Sequence, residues 1–223
     1  VVLLLTKRKM IKSQINENFW NKFYKKKLIL NKPSNFALFI LKFIKKKHTK
    51  IVDVGCGNGR DIFFFKKNKI EFFGIELSKS ASKLIKTKLN KKSEKKKIFN
   101  ENFVKFNYKK NIDGEFSIYS RFTWHSINKK NETIFLNKMS KISNLKYLFI
   151  ETRSDKDELC GVGKKISKNE YITDHYRRFI NKNDLLKKIK RSFKILYIKE
   201  SKGFSKFKNE NPCLIRLIAE KNK

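Results

Sequence analysis

Cysteine, proline, glycine, arginine and acidic residues are all scarce in this chain of 223 residues. The 3 Cys stand far apart, at 56, 160 and 213. That excludes a CxxC zinc pair and a disulfide framework, and fits a reducing, cytoplasmic setting. With 8 Gly and 2 Pro, collagen-like and Pro-rich low-complexity chains are excluded. No apolar run approaches the roughly 20 residues of a membrane helix. What is abundant is Ile and Phe, with 25 and 21 residues. A hydrophobic share of 39% excludes a disordered tail protein, and the length fits one domain with at most a small extension.

The net charge is +36, from 56 Lys and Arg against 20 Asp and Glu. Such a charge raises nucleic acid as a partner. Composition argues against a selected patch. Lys accounts for 48 of the basic residues and Arg for 8, and Lys, Asn, Ile, Phe and Tyr together make 123 of the 223 residues. These are residues of A/T-rich codons. The Lys are spread along the chain, with KKK at 25–27, 45–47 and 95–97, as on a solvated face. Nonspecific affinity for polyanions at low salt still follows. Nucleic acid stays open as a partner without being favoured.

Residues 1–13 read as an upstream extension or a disordered end, with Met10 a natural start, and five leading apolar residues fall short of a signal-peptide core. Residues 14–48 read as a helical cap: two helical stretches meet at Lys32-Pro33-Ser34. The second, 35–47, carries Phe36, Phe39, Ile40, Phe43 and Ile44 at helical period, with Ser34 as N-cap. From residue 49 strands and helices alternate. Strands are expected at 51–54, 71–75, 97–99, 115–119, 146–151, 193–198 and 213–219, and helices at 61–67, 79–90, 132–142 and 181–191. Residues 152–178 form a long polar insertion. Alternation of this kind predicts a parallel α/β sheet, and two consecutive final strands predict an antiparallel finish.

The sharpest signal is IVDVGCGNGRD at 51–61. A β-branched strand enters a loop with Gly55, Gly57 and Gly59, and a helix leaves it. Glycines there let a ligand approach the backbone at the carboxyl end of a parallel strand. The chain contains no GxxxxGK[ST], and the spacing is GxGxG rather than the dinucleotide GxGxxG. Asp53 sits two positions before the first Gly, and Glu76 ends the next strand in FFGIELS. A carboxylate at 76 suits two ribose hydroxyls. Asp53 repels a pyrophosphate but suits an ammonium group. The pair fits a cationic nucleoside better than a dinucleotide.

These residues resemble motif I and the following acidic motif of class I S-adenosylmethionine-dependent methyltransferases, over roughly residues 14–221. The resemblance implies an α/β, Rossmann-like class I methyltransferase fold: a seven-stranded, mostly parallel sheet with an antiparallel last strand. It implies S-adenosyl-L-methionine as cofactor. Gly55, Cys56 and Gly57 would line its methionine part, Asp53 would orient the amino group and Glu76 would hold the ribose. Asn102 and Phe103 in IFNENFV would meet the adenine, Asn102 departing from the usual Asp. Cys56 reads as a small packing residue rather than a nucleophile.

The segment IYSRFTWHSI at 118–127 matches, through Trp124, His125 and Ile127, the apolar-His-x-Ile/Leu stretch that faces the methyl group in many small-molecule methyltransferases. It lacks the Asn/Asp-Pro-Pro-aromatic motif of the nucleic-acid amino-methyltransferases. His125 is the candidate general base, or a buried histidine that shapes the pocket. Arg121 follows the fourth strand, as a substrate contact or a salt bridge to Glu151 or Asp113. In the insertion, a lid at about 153–180, Arg153, His175, Arg177 and Arg178 are candidates to hold an anionic substrate, since Arg binds oxyanions through two nitrogens and Lys does not. Asp155, Asp157 and Glu158 read as a solvated acidic turn, and no metal is expected. The stretch FWNKFYKKKLILNKPSNFALFI is similar to the cap of methyltransferases of the tellurite-resistance and thiopurine type, with Trp20, Tyr24, Ser34 and Phe36 matching, although packing alone also explains Trp20 and Phe36. The expected activity is methyl transfer to a small, anionic metabolite or glycan precursor. The rivals are an RNA or other nucleic-acid methyltransferase and a noncatalytic Rossmann-like binding subunit.

Overall fold

A computed structural model of the chain describes residues 17–25, 32–47, 49–206 and 209–222. The expected extension at 1–13 lies outside the described residues.

Seven strands form one sheet: β1 (Lys50–Val54), β2 (Phe72–Ile75), β3 (Ile98–Phe99), β4 (Phe116–Arg121), β5 (Leu145–Arg153), β9 (Phe193–Ser201) and β10 (Leu214–Lys221). Their order is β3-β2-β1-β4-β5-β10-β9. β1, β2, β3, β4 and β5 run parallel. β10 lies antiparallel to both neighbours, with Leu217 between Ile150 and Ile198. This is the expected mostly parallel sheet with an antiparallel last strand. The reversal of strand order at β1 and β4 leaves a crevice beyond the carboxyl end of β1, where ligands bind in such sheets.

The central strands are buried on both faces, so they read as continuous apolar runs. Alternation along β1 splits the core in two. Ile51 joins Phe36, Ile40 and Ile44 of α2 (Asn35–Lys47) and Phe65 of α3 (Arg60–Lys67). Val52 and Val54 face the other layer, with Trp124, Phe135 of α7 (Lys129–Ser140) and Leu185 of α8 (Lys182–Ile189). Ser34 caps α2 by accepting the Ala37 N–H at 3.0 Å, as its position before the apolar stripe suggests. A further helix, α1, spans 17–25.

Several bounds differ from the expected ones. The helix α4 (Lys79–Lys88) stops short of residue 90, and α5 (Lys92–Lys96) follows it separately. A short α6 (Tyr108–Asn111) precedes β4. α7 starts three residues early, because Asn128 accepts the Asn131 N–H and caps it there. β5 continues to Arg153 because β10 supplies a partner, Leu214, at that residue. The insertion is not a bare loop. Its strands β6 (Lys164–Ser167), β7 (Glu170–Ile172) and β8 (Tyr176–Arg178) form an antiparallel three-stranded sheet.

Candidate functional site

The loop after β1 turns on three glycines with φ of 70°, 56° and 76° at Gly55, Gly57 and Gly59. The Gly55 N–H donates to the Ile75 carbonyl at 2.7 Å, tying the loop to the end of β2. A Cβ at Gly55 would strike the Thr123 side chain, and one at Gly57 would overlap the Tyr24 hydroxyl. Backbone conformation and space therefore both demand glycine.

Glu76 is buried and accepts two backbone N–H groups: Gly57 at 2.7 Å on Oε2 and Ser78 at 2.8 Å on Oε1. Burial pushes its carboxyl up, and these backbone bonds oppose the push. Each oxygen keeps a lone pair for a ligand hydroxyl. Asp53 is different. It is 3% exposed, and no donor among the described residues bonds its carboxylate. Burial first, then the charges of Asp61 and Glu76, push it well above the usual carboxylate range, and Arg121 opposes them weakly. A buried acid in this state lacks a cationic partner.

Both carboxylates line a cavity of about 830 Å³. Cys56 lines it too. It is buried, with its thiol pushed up by burial and then by Asp53. Asn102 and Phe103 form another part of the wall. The Asn102 amide oxygen already accepts the Val104 N–H at 2.9 Å, which shapes its own turn. Trp20, Phe23 and Tyr24 of α1 line the same cavity, with the Tyr24 hydroxyl against Gly57. Below them Asp61 joins three elements: it accepts the Ser34 N–H at 2.7 Å, the Ser34 hydroxyl at 2.8 Å and the Tyr119 hydroxyl at 2.7 Å.

Solved structures similar in fold include an S-adenosylmethionine-dependent methyltransferase from Clostridium acetobutylicum, at TM-score 0.64 and 13% identity over 85% of this chain and 92% of that one. A methyltransferase of the same kind from Anabaena variabilis matches at TM-score 0.63 and 14% identity, over 94% of each chain. The glycopeptide N-methyltransferase MtfA, complexed with S-adenosyl-L-homocysteine, matches at TM-score 0.62 and 11% identity, over 86% of this chain and 90% of that one. No protein-family model and no curated protein sequence matches the chain. The chain has the Rossmann-like methyltransferase fold.

Within this fold the expected substrate contacts divide. Arg121 and Arg153 line the cavity. Arg121 donates from Nε to Glu151 at 3.2 Å and from Nη2 to the Ser205 hydroxyl at 2.9 Å, while Arg153 is held by Asp157 at 3.0 Å and Glu210 at 2.9 Å. The other three expected contacts, His175, Arg177 and Arg178, are not on the wall. Arg178 is buried and spent on the Ile127 carbonyl at 2.9 Å and the Glu132 carboxylate at 3.1 Å. Arg177 bonds Asp174 at 2.8 Å. His175 stacks on Phe19 at 4.4 Å and meets the Trp20 ring at a tilt at 5.0 Å, so it joins the insertion to α1. Its Nδ1 lies 2.9 Å from Asp174 without the angle of a hydrogen bond. Alternation along β8 turns Arg177 away from Tyr176, which reaches the cavity, while Arg178, on the same face as Tyr176, is drawn off by Ile127 and Glu132.

His125, the expected base, also lies off the wall. It sits in a 3-10 turn (Trp124–Ser126) and is buried beside Phe122. Burial, then the positive charges of Arg153 and its neighbours, hold its pKa well below the ordinary histidine value. Its Nδ1 meets no acceptor among the described residues. Trp124 points away as well, donating to Glu132 at 2.7 Å, whereas Ser126 and Ile127 face the cavity. Arg60, Tyr119, Thr123 and Tyr176 line it without having been singled out. For Arg60 a signal existed, since any Arg that persists in so lysine-rich a chain is conspicuous. The three others are ordinary polar or aromatic residues in sequence.

Proposed function

We propose that this protein is an S-adenosylmethionine-dependent methyltransferase acting on a small molecule. The observation that carries the reading is Asp53: a buried carboxylate with no donor among the described residues, on the wall of a positive-φ glycine loop. That is an electrostatic complement to an ammonium group. Glu76, one helix and one strand further on, fits a ribose. The fit to the cofactor is therefore good in shape and charge. When bound, S-adenosylmethionine supplies a methyl group already activated on a sulfonium.

The chain's own residues then bind, orient and exclude water. Asp53 takes the ammonium, the Gly55–Cys56–Gly57 backbone bears on the methionine part, Glu76 takes the ribose hydroxyls, and Asn102 and Phe103 take the adenine. Trp20, Phe23 and Tyr24 close the cavity from the N-terminal side, in keeping with a cap at 14–48 of the tellurite-resistance and thiopurine type. The insertion at about 153–180 contributes Arg153 and Tyr176 from the other side, as a lid. His125 supports the wall from behind and has no proton-transfer role in this reading.

An anionic acceptor, such as an acidic metabolite or glycan precursor, is the finer part of the proposal. It is supported by the wall's charges: Arg60, Lys105, Arg121, Lys130, Arg153 and Lys206 outnumber Asp53, Asp61, Glu76 and Glu210. A cytoplasmic setting belongs to the same proposal, supported by three free cysteines; among the described residues no helix is long and apolar enough to cross a membrane.

Calorimetric titration with S-adenosylmethionine tests the reading, with Asp53→Asn beside the native protein. The expected result is micromolar binding that weakens at least about tenfold in the variant, with no loss of melting temperature, because a buried charge has been removed. A folded native protein that binds no cofactor at millimolar concentration overturns it.

A further inference from the structure

Arg60 opens α3 directly after Gly59 and lines the cavity. Its Nε is buried and meets no acceptor among the described residues. The nearest carboxylate oxygen, Asp61 Oδ1 at 3.8 Å, is beyond hydrogen-bond reach and already accepts the Ser34 N–H. The other oxygen of Asp61 takes two hydroxyls. Arg121 does not relieve this. It faces the same cavity, and after burial its positive charge is the main influence against a charged Arg60. Nor does Glu151 leave a vacancy. One of its oxygens takes Arg121 at 3.2 Å and the other takes Arg216 at 2.6 Å, so a single carboxylate already serves two guanidinium groups. Asp61 and Glu151 are thus taken by the Ser34 N–H, two hydroxyls, Arg121 and Arg216. Arg60 is left on the cavity wall with no acceptor for its Nε among the described residues.

Two like charges held together in a half-buried site cost free energy unless an anion sits between them. The geometry points to an oxyanion site formed by Arg60 and Arg121, which takes a carboxylate or phosphate group on their forked N–H donors. It deepens the methyltransferase reading and rests on it for the source of the anion. That source is either the amino-acid carboxylate of the cofactor or an acidic group of the acceptor. Arginine suits both, because its planar fork meets two oxygens at once, and a lysine at position 60 presents only a point charge. Asp53 and the Arg60–Arg121 pair bring both signs of charge to one cavity wall, so a ligand bearing both signs is held in one orientation.

The test uses the full chain, with Arg60→Gln and Arg60→Lys, at about 0.15 M ionic strength so that surface lysines are screened. Three probes are titrated: inorganic phosphate, S-adenosylhomocysteine, and 5′-methylthioadenosine, which keeps the nucleoside but lacks the amino-acid carboxylate. Loss of about tenfold or more in S-adenosylhomocysteine affinity in Arg60→Gln, with 5′-methylthioadenosine unchanged, supports the site and assigns it to the cofactor. Loss of phosphate affinity with S-adenosylhomocysteine unchanged supports it and assigns it to the acceptor. In either case Arg60→Lys recovers only part of the loss. If one variant fails to fold, the other carries the comparison. A folded variant that binds phosphate and S-adenosylhomocysteine as the native protein does overturns the site. Native protein that binds phosphate through Arg60 but no S-adenosylhomocysteine overturns the methyltransferase reading and leaves the oxyanion site standing.

Discussion

Glu76 Oε2 accepts the Gly57 N–H at 2.7 Å, so the acid that ends β2 grips the glycine loop that follows β1. Its other oxygen holds the Ser78 N–H at 2.8 Å, at the start of the next helix, α4 (Lys79–Lys88). One carboxylate therefore shapes the loop and remains able to receive a ligand.

Glu76→Gln keeps one acceptor and sets an amide N–H₂ against a backbone N–H. A lost buried bond of this kind costs roughly 1–3 kcal/mol. Chemical denaturation is expected to register that loss, and calorimetry a concurrent drop in S-adenosylhomocysteine affinity. Unchanged stability would mean that the clamp contributes nothing.

Gly57→Ala places a methyl group where the Tyr24 hydroxyl sits, at φ of 56°. The left-handed backbone alone costs roughly 1–2 kcal/mol for an L-residue. The variant should melt lower and lose cofactor affinity. Adding Tyr24→Ala should restore part of the stability lost relative to Tyr24→Ala alone, and a double-mutant cycle measures that coupling.

Glu132 lies buried among Trp124 Nε1, Arg178 and Lys188. Burial alone would raise its carboxyl, but Arg178 and Lys188 outweigh burial and hold it below the ordinary 4.5. Removing one partner of a buried pair costs roughly 3–5 kcal/mol, so Glu132→Ala should be among the most destabilising single changes. A depressed acid stabilises above its unfolded pKa and loses that contribution as pH falls through the folded value. Denaturation curves should therefore show stability falling below about pH 4.5, and Glu132→Gln should remove that component.

His175 joins the insertion to Phe19 and Trp20. Burial, then Arg177, hold its pKa down to about 4, against the pull of Asp174. The unfolded chain binds more protons than the folded one between about pH 4 and 6.5, so stability rises with pH across that window. His125, depressed in the same direction, adds to the slope. His175→Gln should flatten part of the slope and abolish the pH dependence of Trp20 fluorescence near pH 4 to 5. A slope unchanged in that variant would assign the effect to His125 alone.

With a net charge of +36, the protein should bind RNA at low salt. If that binding is only screened lysine, affinity falls by roughly 10³ or more between 50 and 200 mM salt and shows no sequence preference. Filter-binding across a salt series reads this directly. Tight binding that persists at high salt would favour a nucleic-acid substrate.

The sequence by itself determined the sheet and the glycine-loop end of the cavity. Strand–helix alternation, the glycine spacing at 55, 57 and 59 and the acids at 53 and 76 are local patterns, and local sterics and hydrophobic period are legible in a string of residues. Only the tertiary structure decided the other end. Whether His125, Arg177 or Arg178 faces a ligand depends on which side of a strand or turn looks into the cavity and on which carboxylates lie near from distant parts of the chain. Glu132 lies 46 residues before Arg178, and it consumes that arginine. Arg60 stands beside the glycines in sequence, but its meaning came from Asp61 and Glu151, whose charge Ser34, Tyr119, Arg121 and Arg216 had already taken. Charge balance in a buried site is a sum over neighbours in space, and no local pattern along the chain contains that sum.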